Sequence, residues 1–340
     1  MIFLFNRCCL LFCIGWISLV FSEDKKAVIC GVCKNAEKQL PTTFESIKRL
    51  TKRLSDYRVV IYENNSTDRT KQLLKEWASK DPNVFIISED LSKRELKRSS
   101  RGKRKARTEY IARARNRVLD EVMQQKYDPF PFVIMADLDM DPWDVQGILD
   151  TLNTTDVEWD AVCANGSYDR YAFRNEEYPF GFELVGKEHW KKALACDLHL
   201  SDTGEWKLVY SAFGGLGIYK RDAIRGCRYS GVVTIELETL MQGWIEEGLK
   251  RSVFLAKEYQ ELMKTAPIVD VYGSMLSDRS RHPSCIGMRL HQHGAKVVWF
   301  GAGLDKTLPT VCEHIPFHAA MIAKGRNKIY LNPRLKSTHP

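Results

Sequence analysis

The 340-residue chain predicts an α/β fold built on a mostly parallel sheet, and three observations carry that prediction. Short apolar runs alternate with amphipathic stretches in the order strand, helix, strand, helix, strand, and such spacing demands crossover connections between parallel strands. The runs are apolar throughout rather than every second residue, as in strands covered on both faces. Polar clusters follow them directly, at the carboxyl ends where open α/β sheets bind ligands.

Ala27-Val28-Ile29-Cys30-Gly31-Val32-Cys33 reads as the first buried strand, closed by Lys34-Asn35-Ala36-Glu37. Leu40, Phe44, Ile47 and Leu50 then give the apolar stripe of a helix. Val59-Val60-Ile61-Tyr62 is the second strand, and the turn after it, Glu63 to Thr70, is rich in helix-capping residues. Leu73, Leu74 and Trp77 mark a second helix ending near Asp81-Pro82, and Val84-Phe85-Ile86-Ile87 a third strand. Ile111, Ala114, Val118 and Val122 recur at helical spacing, with Arg113, Arg115, Asn116 and Arg117 between them. Phe132-Val133-Ile134-Met135-Ala136 forms a fourth strand that runs into Asp137, Asp139 and Asp141.

Those carboxylates carry the first chemical inference. Alternate residues point the same way at a strand end, so two of the three groups can converge on one point. Carboxylates held that close repel unless a cation lies between them, and hard oxygen ligands suit Mg²⁺ or Mn²⁺. An acidic turn helped by Pro142 and Trp143 is the plainer reading of the same stretch.

Composition narrows the partners. At 44% hydrophobic residues the chain can bury one large core or two modest ones. The net charge of +8 lies entirely in one segment, Lys93 to Arg107, where nine Lys and Arg face the single acid Glu95. The rest of the chain is neutral, which argues against nucleic acid as a partner, since that needs charge spread along a face.

Arg7 precedes an apolar run from Cys8 to Phe21, of signal-peptide length, with small residues Val20 and Ser22 placed for cleavage after Ser22. A signal peptide over residues 1–22 directs the chain to the secretory lumen of the ER or Golgi or outside the cell. An uncleaved anchor, with membrane association through residues 8–21, is the alternative. Seven cysteines remain beyond residue 22, an odd number that leaves at least one free thiol. Cys30-x-x-Cys33 lies within an apolar strand, without a second such pair, and reads as buried thiols. Glycosylation sequons stand at Asn64, Asn65, Asn153 and Asn165, and the first two, falling in the proposed site, are expected to be unmodified.

A strand ending in Lys34-Asn35, the turn Glu63-Asn64-Asn65-Ser66-Thr67-Asp68-Arg69-Thr70, the helix motif Ala114-Arg115-Asn116 and the strand end Asp137-Leu138-Asp139 follow in the order found in GT-A glycosyltransferases. The chain resembles those related to glycosyltransferase family 2 and to the fungal capsule mannosyltransferases. The resemblance is close over 27–141 and looser beyond, where Ala161-Val162-Cys163-Ala164, Phe213 to Tyr219 and Cys312-Glu313-His314 fit the usual second half. It implies a single GT-A domain over 23–340, with a nucleotide-binding half at 27–141 and an acceptor-binding half at 142–340. The implied activity is transfer of a hexose from a UDP- or GDP-linked sugar to a glycan or protein acceptor.

The resemblance also implies residue roles. Glu63 and Asn64 stand where two acidic residues contact the base or ribose, with Asn a departure at the second position. Asp68 in the same turn either joins them or caps the helix. Arg115 and Asn116 would face the nucleotide, while Arg113 and Arg117 would be solvated. Asp137 would reach the ribose and the metal, and Asp139 would bind the metal directly. Lys103, Arg104 and Arg107 would add cations at the diphosphate, unless that run is only a solvated loop. Gly214 and Gly215 would let backbone approach the sugar, a bulge being the alternative. His314 is the candidate third metal ligand, and His318 shares its face if the stretch is helical. For the base that deprotonates the acceptor hydroxyl, Glu313 is preferred over Glu236, Glu238 and Asp278 because it adjoins His314. Trp190, Trp206 and Trp244 are either acceptor-stacking residues or core.

Rival activities fit less well. A sugar-1-phosphate nucleotidyltransferase needs a Gly-rich, Arg-containing loop after the first strand, where this chain has Gly31-Val32-Cys33-Lys34-Asn35. No pair of carboxylates singles itself out for glycoside hydrolysis. A non-catalytic sugar- or nucleotide-binding protein with the same fold remains the rival of another class.

Overall fold

A computed structural model describes residues 25–92, 95, 107–140, 142–166, 170–176, 204–232, 234–237, 239, 240, 243, 290, 291, 294, 295 and 311–338. Asp141, Lys103, Arg104, Trp190, Glu238, Trp244, Asp278 and the segment 1–22 lie outside them. Among the described residues no helix is long and apolar enough to cross a membrane.

The first half follows the predicted alternation. Strands β1 (Lys26–Cys33), β2 (Asp56–Asn64), β3 (Val84–Glu89) and β4 (Phe132–Asp137) are linked through helices α1 (Leu40–Thr51), α2 (Thr70–Lys80) and α3 (Arg107–Val122). All four strands are parallel, in the order β3-β2-β1-β4. The order reverses at β1, so the crevice between the carboxyl ends of β1 and β4 is the switch point at which such sheets take ligands.

Helix α4 (Val145–Asn153) leads from β4 to β5 (Ala161–Gly166); β6 (Lys207–Leu208), β7 (Leu216–Lys220), α5 (His314–Ala323) and β10 (Ile329–Ser337) complete the main sheet. Its full order is β3-β2-β1-β4-β7-β5-β10-β6, with β7 antiparallel to both β4 and β5, and β10 parallel to β5. A two-residue pair, β8 (Leu290–His291) and β9 (Gly294–Ala295), stands apart.

Period-two alternation assigns each strand residue to one of two cores. Val133 and Met135 pack with Val28, Val60 and the α3 residues Val118 and Leu119 on one face. Ile134 and Ala136 pack with Ile29, Ile61, Leu40 and Ile148 on the other. Each such Val, Ile, Leu or Met side chain removed from water is worth about 1.5–3 kcal/mol. The parity continues past the strand end. Leu138 falls into the second core, 1% exposed, where Thr43 Oγ1 donates to its carbonyl at 2.7 Å. Asp137, two residues after Met135, falls on the α3 face.

Two expectations need correction here. Gly214 and Gly215 lie in the turn before β7, with φ of +59° and +90°, and not within the strand. A Cβ on Gly214 would stand 2.3 Å from Ala164 O and 2.6 Å from Gly166 N. The close approach is therefore between this turn and the backbone of β5, and the pairing of β7 with β4 and β5 carries no register shift. Arg113 and Arg117 are not simply solvated: both reach Glu89 at the end of β3, Arg117 Nη2 at 2.5 Å and Arg113 Nη2 at 4.0 Å.

Candidate active site

Two loops at the carboxyl edge lace together. Asn35, at φ +52°, donates its N–H to Ser66 Oγ at 2.9 Å and accepts from Thr67 N at 2.8 Å. Ala36 N donates to Thr70 Oγ1 at 2.7 Å, and Arg69 N to Glu37 Oε2 at 2.9 Å. Asp68 accepts from Thr70 N at 3.0 Å and from Glu37 N at 3.2 Å, so it caps the turn. The Asn, Ser, Thr and Asp residues of the motif thus satisfy one another's backbone donors at two helix entries.

Glu63 belongs to the same lacing. It is fully buried, with Oε1 accepting from Ser66 N at 2.7 Å and Oε2 from Ser88 Oγ at 2.6 Å. In this arrangement its carboxylate holds the loop and does not face an opening, contrary to its expected contact with a base. Asn64 is half-buried and donates to Asn65 Oδ1 at 3.0 Å. Burial, then the charges of Glu63, Asp68 and Asp139, push the Cys33 thiol up to about 12. Cys30, Cys33, Cys163, Cys227 and Cys312 are all free thiols.

Asp137 is half-buried and Asp139 exposed, on either side of buried Leu138. The backbone N of Asp137 donates to Gly215 O at 2.8 Å, so the turn before β7 fixes the strand end that carries the acids. Arg115 rises from α3 against that end. Its Nη2 donates to Asp137 Oδ1 at 2.7 Å and its Nε to Glu313 Oε1 at 3.2 Å, with the side chain 3% exposed. The guanidinium lies over the Phe213 ring at 4.7 Å and near that of Tyr229 at 5.8 Å. One cation therefore joins the acid of β4 to the acid before α5, with Arg115 and Glu313 lying 198 residues apart in sequence.

Asn116 does not face this crevice. Its Nδ2 donates to Tyr229 O and its Oδ1 accepts from Tyr229 N, both at 2.9 Å, so the amide clamps a backbone segment. That corrects its expected nucleotide contact: both ends of the amide are used.

Glu313 is 5% exposed, and burial raises its carboxyl above the usual range while Arg115 opposes the rise. His314, the first residue of α5, is fully buried and stacks on Phe213 with ring centres 3.7 Å apart. Among the described residues neither of its ring nitrogens has a hydrogen-bond partner, Nε2 lying 3.6 Å from Glu313 Oε1, and neither do Arg115 Nη1 and Tyr229 Oη. Burial, then Arg115 and His318, hold His314 well below its ordinary pKa. His318 shares the helix, with ring centres 6.2 Å apart. It is tied into the core by Ser211 Oγ at 2.9 Å and Tyr219 Oη at 3.2 Å.

Carboxylate oxygens at 137 and 139 fit a hard divalent cation in donor chemistry and in position at the crevice. His314 does not join them here: among the described residues, no three His, Cys, Asp or Glu side chains converge as a metal cluster. Of the remaining candidates, Glu236 is exposed, Trp206 packs on Tyr330 at 5.9 Å, and Arg107 is exposed at the start of α3. Sequence reading missed Tyr229, Ser211 and Glu89, which carry no motif.

Residues 26–191, just under half of the chain, match the family model described as Cryptococcal mannosyltransferase 1. Glycosyltransferase GlyA of Streptococcus pneumoniae serotype 4 is 27% identical over 199 residues, 57% of this chain and 24% of that protein. The chain thus spans about a quarter of that relative's length. Among solved structures it is similar to mannosyltransferase PcManGT from Pyrobaculum calidifontis, in complex with GDP-Man and Mn²⁺, at 15% identity and TM-score 0.36 over 64% of this chain and 51% of that one. Glucosyl-3-phosphoglycerate synthase from Mycobacterium tuberculosis, with Mn²⁺, UDP and phosphoglyceric acid, gives 14% and 0.35 over 68% and 66%. S. aureus TarS in complex with UDP-GlcNAc gives 16% and 0.36 over 60% and 48%.

Proposed function

We propose that this chain, whose residues 26–191 match the family model described as Cryptococcal mannosyltransferase 1, is a metal-dependent glycosyltransferase. It moves a hexose from a UDP- or GDP-linked sugar to a glycan or protein acceptor in the secretory pathway. The observation that carries the reading is the pair Asp137 and Asp139 at the switch point of the sheet, backed by Arg115.

Asp137 and Asp139 would hold a Mn²⁺ or Mg²⁺ ion, which supplies charge neutralisation at the diphosphate when bound. Arg115 holds Asp137 in place from behind and restrains Glu313 at the same time. Glu313 is the carboxylate proposed to take the acceptor hydroxyl proton, its burial favouring a base of raised affinity for protons. Asn64, half-buried at the end of β2, is the base- or ribose-side contact of this reading, and Gly214-Gly215 shape the floor beside Asp137.

A non-catalytic sugar- or nucleotide-binding protein is the second reading. It is favoured by two observations: Arg115 already neutralises Asp137, and His314 is buried in stacking contact with Phe213. A panel of nucleotide sugars incubated with the purified chain and Mn²⁺ separates the two. Hydrolysis or transfer from at least one donor supports the enzyme; glycan binding with no turnover of any donor supports the binding protein.

A further inference from the structure

We infer that Asn153 is the N-glycosylation site of this chain, and that Asn64, Asn65 and Asn165 are bare although each lies in a sequon. The inference rests on entry into the secretory pathway through residues 1–22 and is independent of the glycosyltransferase reading.

The four asparagines divide by position and by what their amides do. Asn64 ends β2 and Asn165 lies in β5, parallel strands whose carboxyl ends share the edge that carries Asp137. Asn64 Nδ2 donates to Asn65 Oδ1 at 3.0 Å. Asn65, at φ +54°, donates from Nδ2 to Leu91 O at 3.0 Å and accepts from Leu91 N at 3.2 Å. Asn165 Nδ2 donates to Pro333 O at 3.3 Å, beside the Gly166 position where a Cβ would meet Gly214 O at 2.3 Å. A glycan on any of these nitrogens takes one of its two N–H donors and must fit beside an oxygen already within hydrogen-bond distance of that nitrogen, crowding the crevice loops.

Asn153 is placed otherwise. It is the exposed last residue of α4, a helix that leads away from the carboxyl edge toward the start of β5. Among the described residues its side chain has no hydrogen-bond partner, while Thr154 caps the helix end by donating from Oγ1 to Asp150 O at 2.9 Å. Thr155, the hydroxyl residue of the sequon, is exposed in the extended loop that follows. A glycan here meets solvent and leaves the crevice open.

The donor is a polyprenyl diphosphate oligosaccharide. Its C1–O bond to the diphosphate breaks, a C1–Nδ2 bond forms, the amide nitrogen gives up one proton to a base, and the lipid diphosphate leaves.

The test is site-resolved mass spectrometry of the full chain, expressed with its own N-terminus in a eukaryotic secretory host. Enzymatic deglycosylation in heavy-oxygen water marks each occupied asparagine. The expected result is a marked Asn153 with Asn64, Asn65 and Asn165 unmarked. The single deglycosylation-sensitive mobility step should be lost in Asn153→Gln and in Thr155→Ala, and kept in Thr155→Ser. No occupancy at Asn153, whether from failed entry or from failed transfer, overturns the inference. So does occupancy at any of the other three in folded protein.

Discussion

At the residue scale the decisive group is Arg115, an ionised side chain taken almost wholly out of water and compensated by two carboxylates and two aromatic faces. Such a bridge adds little net stability, but removing one member leaves uncompensated buried charge. Arg115→Met should therefore cost about 3–5 kcal/mol in urea unfolding. Arg115→Lys should cost less, because a point charge keeps one of the two contacts and loses the fork. Equal stability of Arg115→Met and the parent would deny the bridge. A second prediction concerns His318, held neutral at a pKa of about 3 by burial. Its folded pKa lies below the unfolded value, so the stabilising contribution is complete above about pH 6.5 and is lost as pH falls from there toward 3. The loss approaches about 1.4 kcal/mol per pH unit, and His314, shifted the same way, steepens it. Thermal unfolding between pH 7 and 4 should show a shallower slope for His318→Gln than for the parent.

At the element scale the turns do more than connect. Gly214 lies in the left-handed region with β5 backbone where a Cβ would be. Gly214→Ala should lose about 1–3 kcal/mol and displace the carbonyl of Gly215 that holds Asp137 N. Asp144 caps α4 by accepting from Gly147 N at 2.9 Å, and its other oxygen takes Lys336 N at 3.2 Å. Asp144→Ala should cost about 1–2 kcal/mol, read in chemical unfolding, with the larger figure expected because a strand contact goes too. The first-half elements were legible because each is local: apolar runs and helical stripes fixed β1 to β4 and α1 to α3 nearly to their ends. The partners of Asn116 and Glu63 were not legible in this way. Their motif gave position, but the partners that consume them, Tyr229, Ser66 and Ser88, depend on loop conformation that spacing does not encode.

For the whole molecule, the sheet is closed by a late strand. β10 pairs with β5, whose register begins 168 residues earlier at Ala161 opposite Ile329, and α5 brings Glu313 and His314 to Arg115 on the way. Such non-local pairing leaves no trace in periodicity, which explains why the second half was read only by resemblance. Removal of residues 311–340 should abolish cooperative unfolding, since it strips β10 from the sheet and Glu313 from the bridge; a truncated chain with an intact melting transition would contradict the topology. The proposed function stands on Asp137 and Asp139 holding a nucleotide sugar through a divalent ion. Calorimetric titration of UDP- and GDP-sugars into the parent and Asp139→Asn, with and without Mn²⁺, tests it most directly. Mn²⁺-dependent binding by the parent should weaken by about tenfold, or ~1.4 kcal/mol, in Asp139→Asn; equal affinity in both proteins, or binding indifferent to Mn²⁺, would remove the metal assignment.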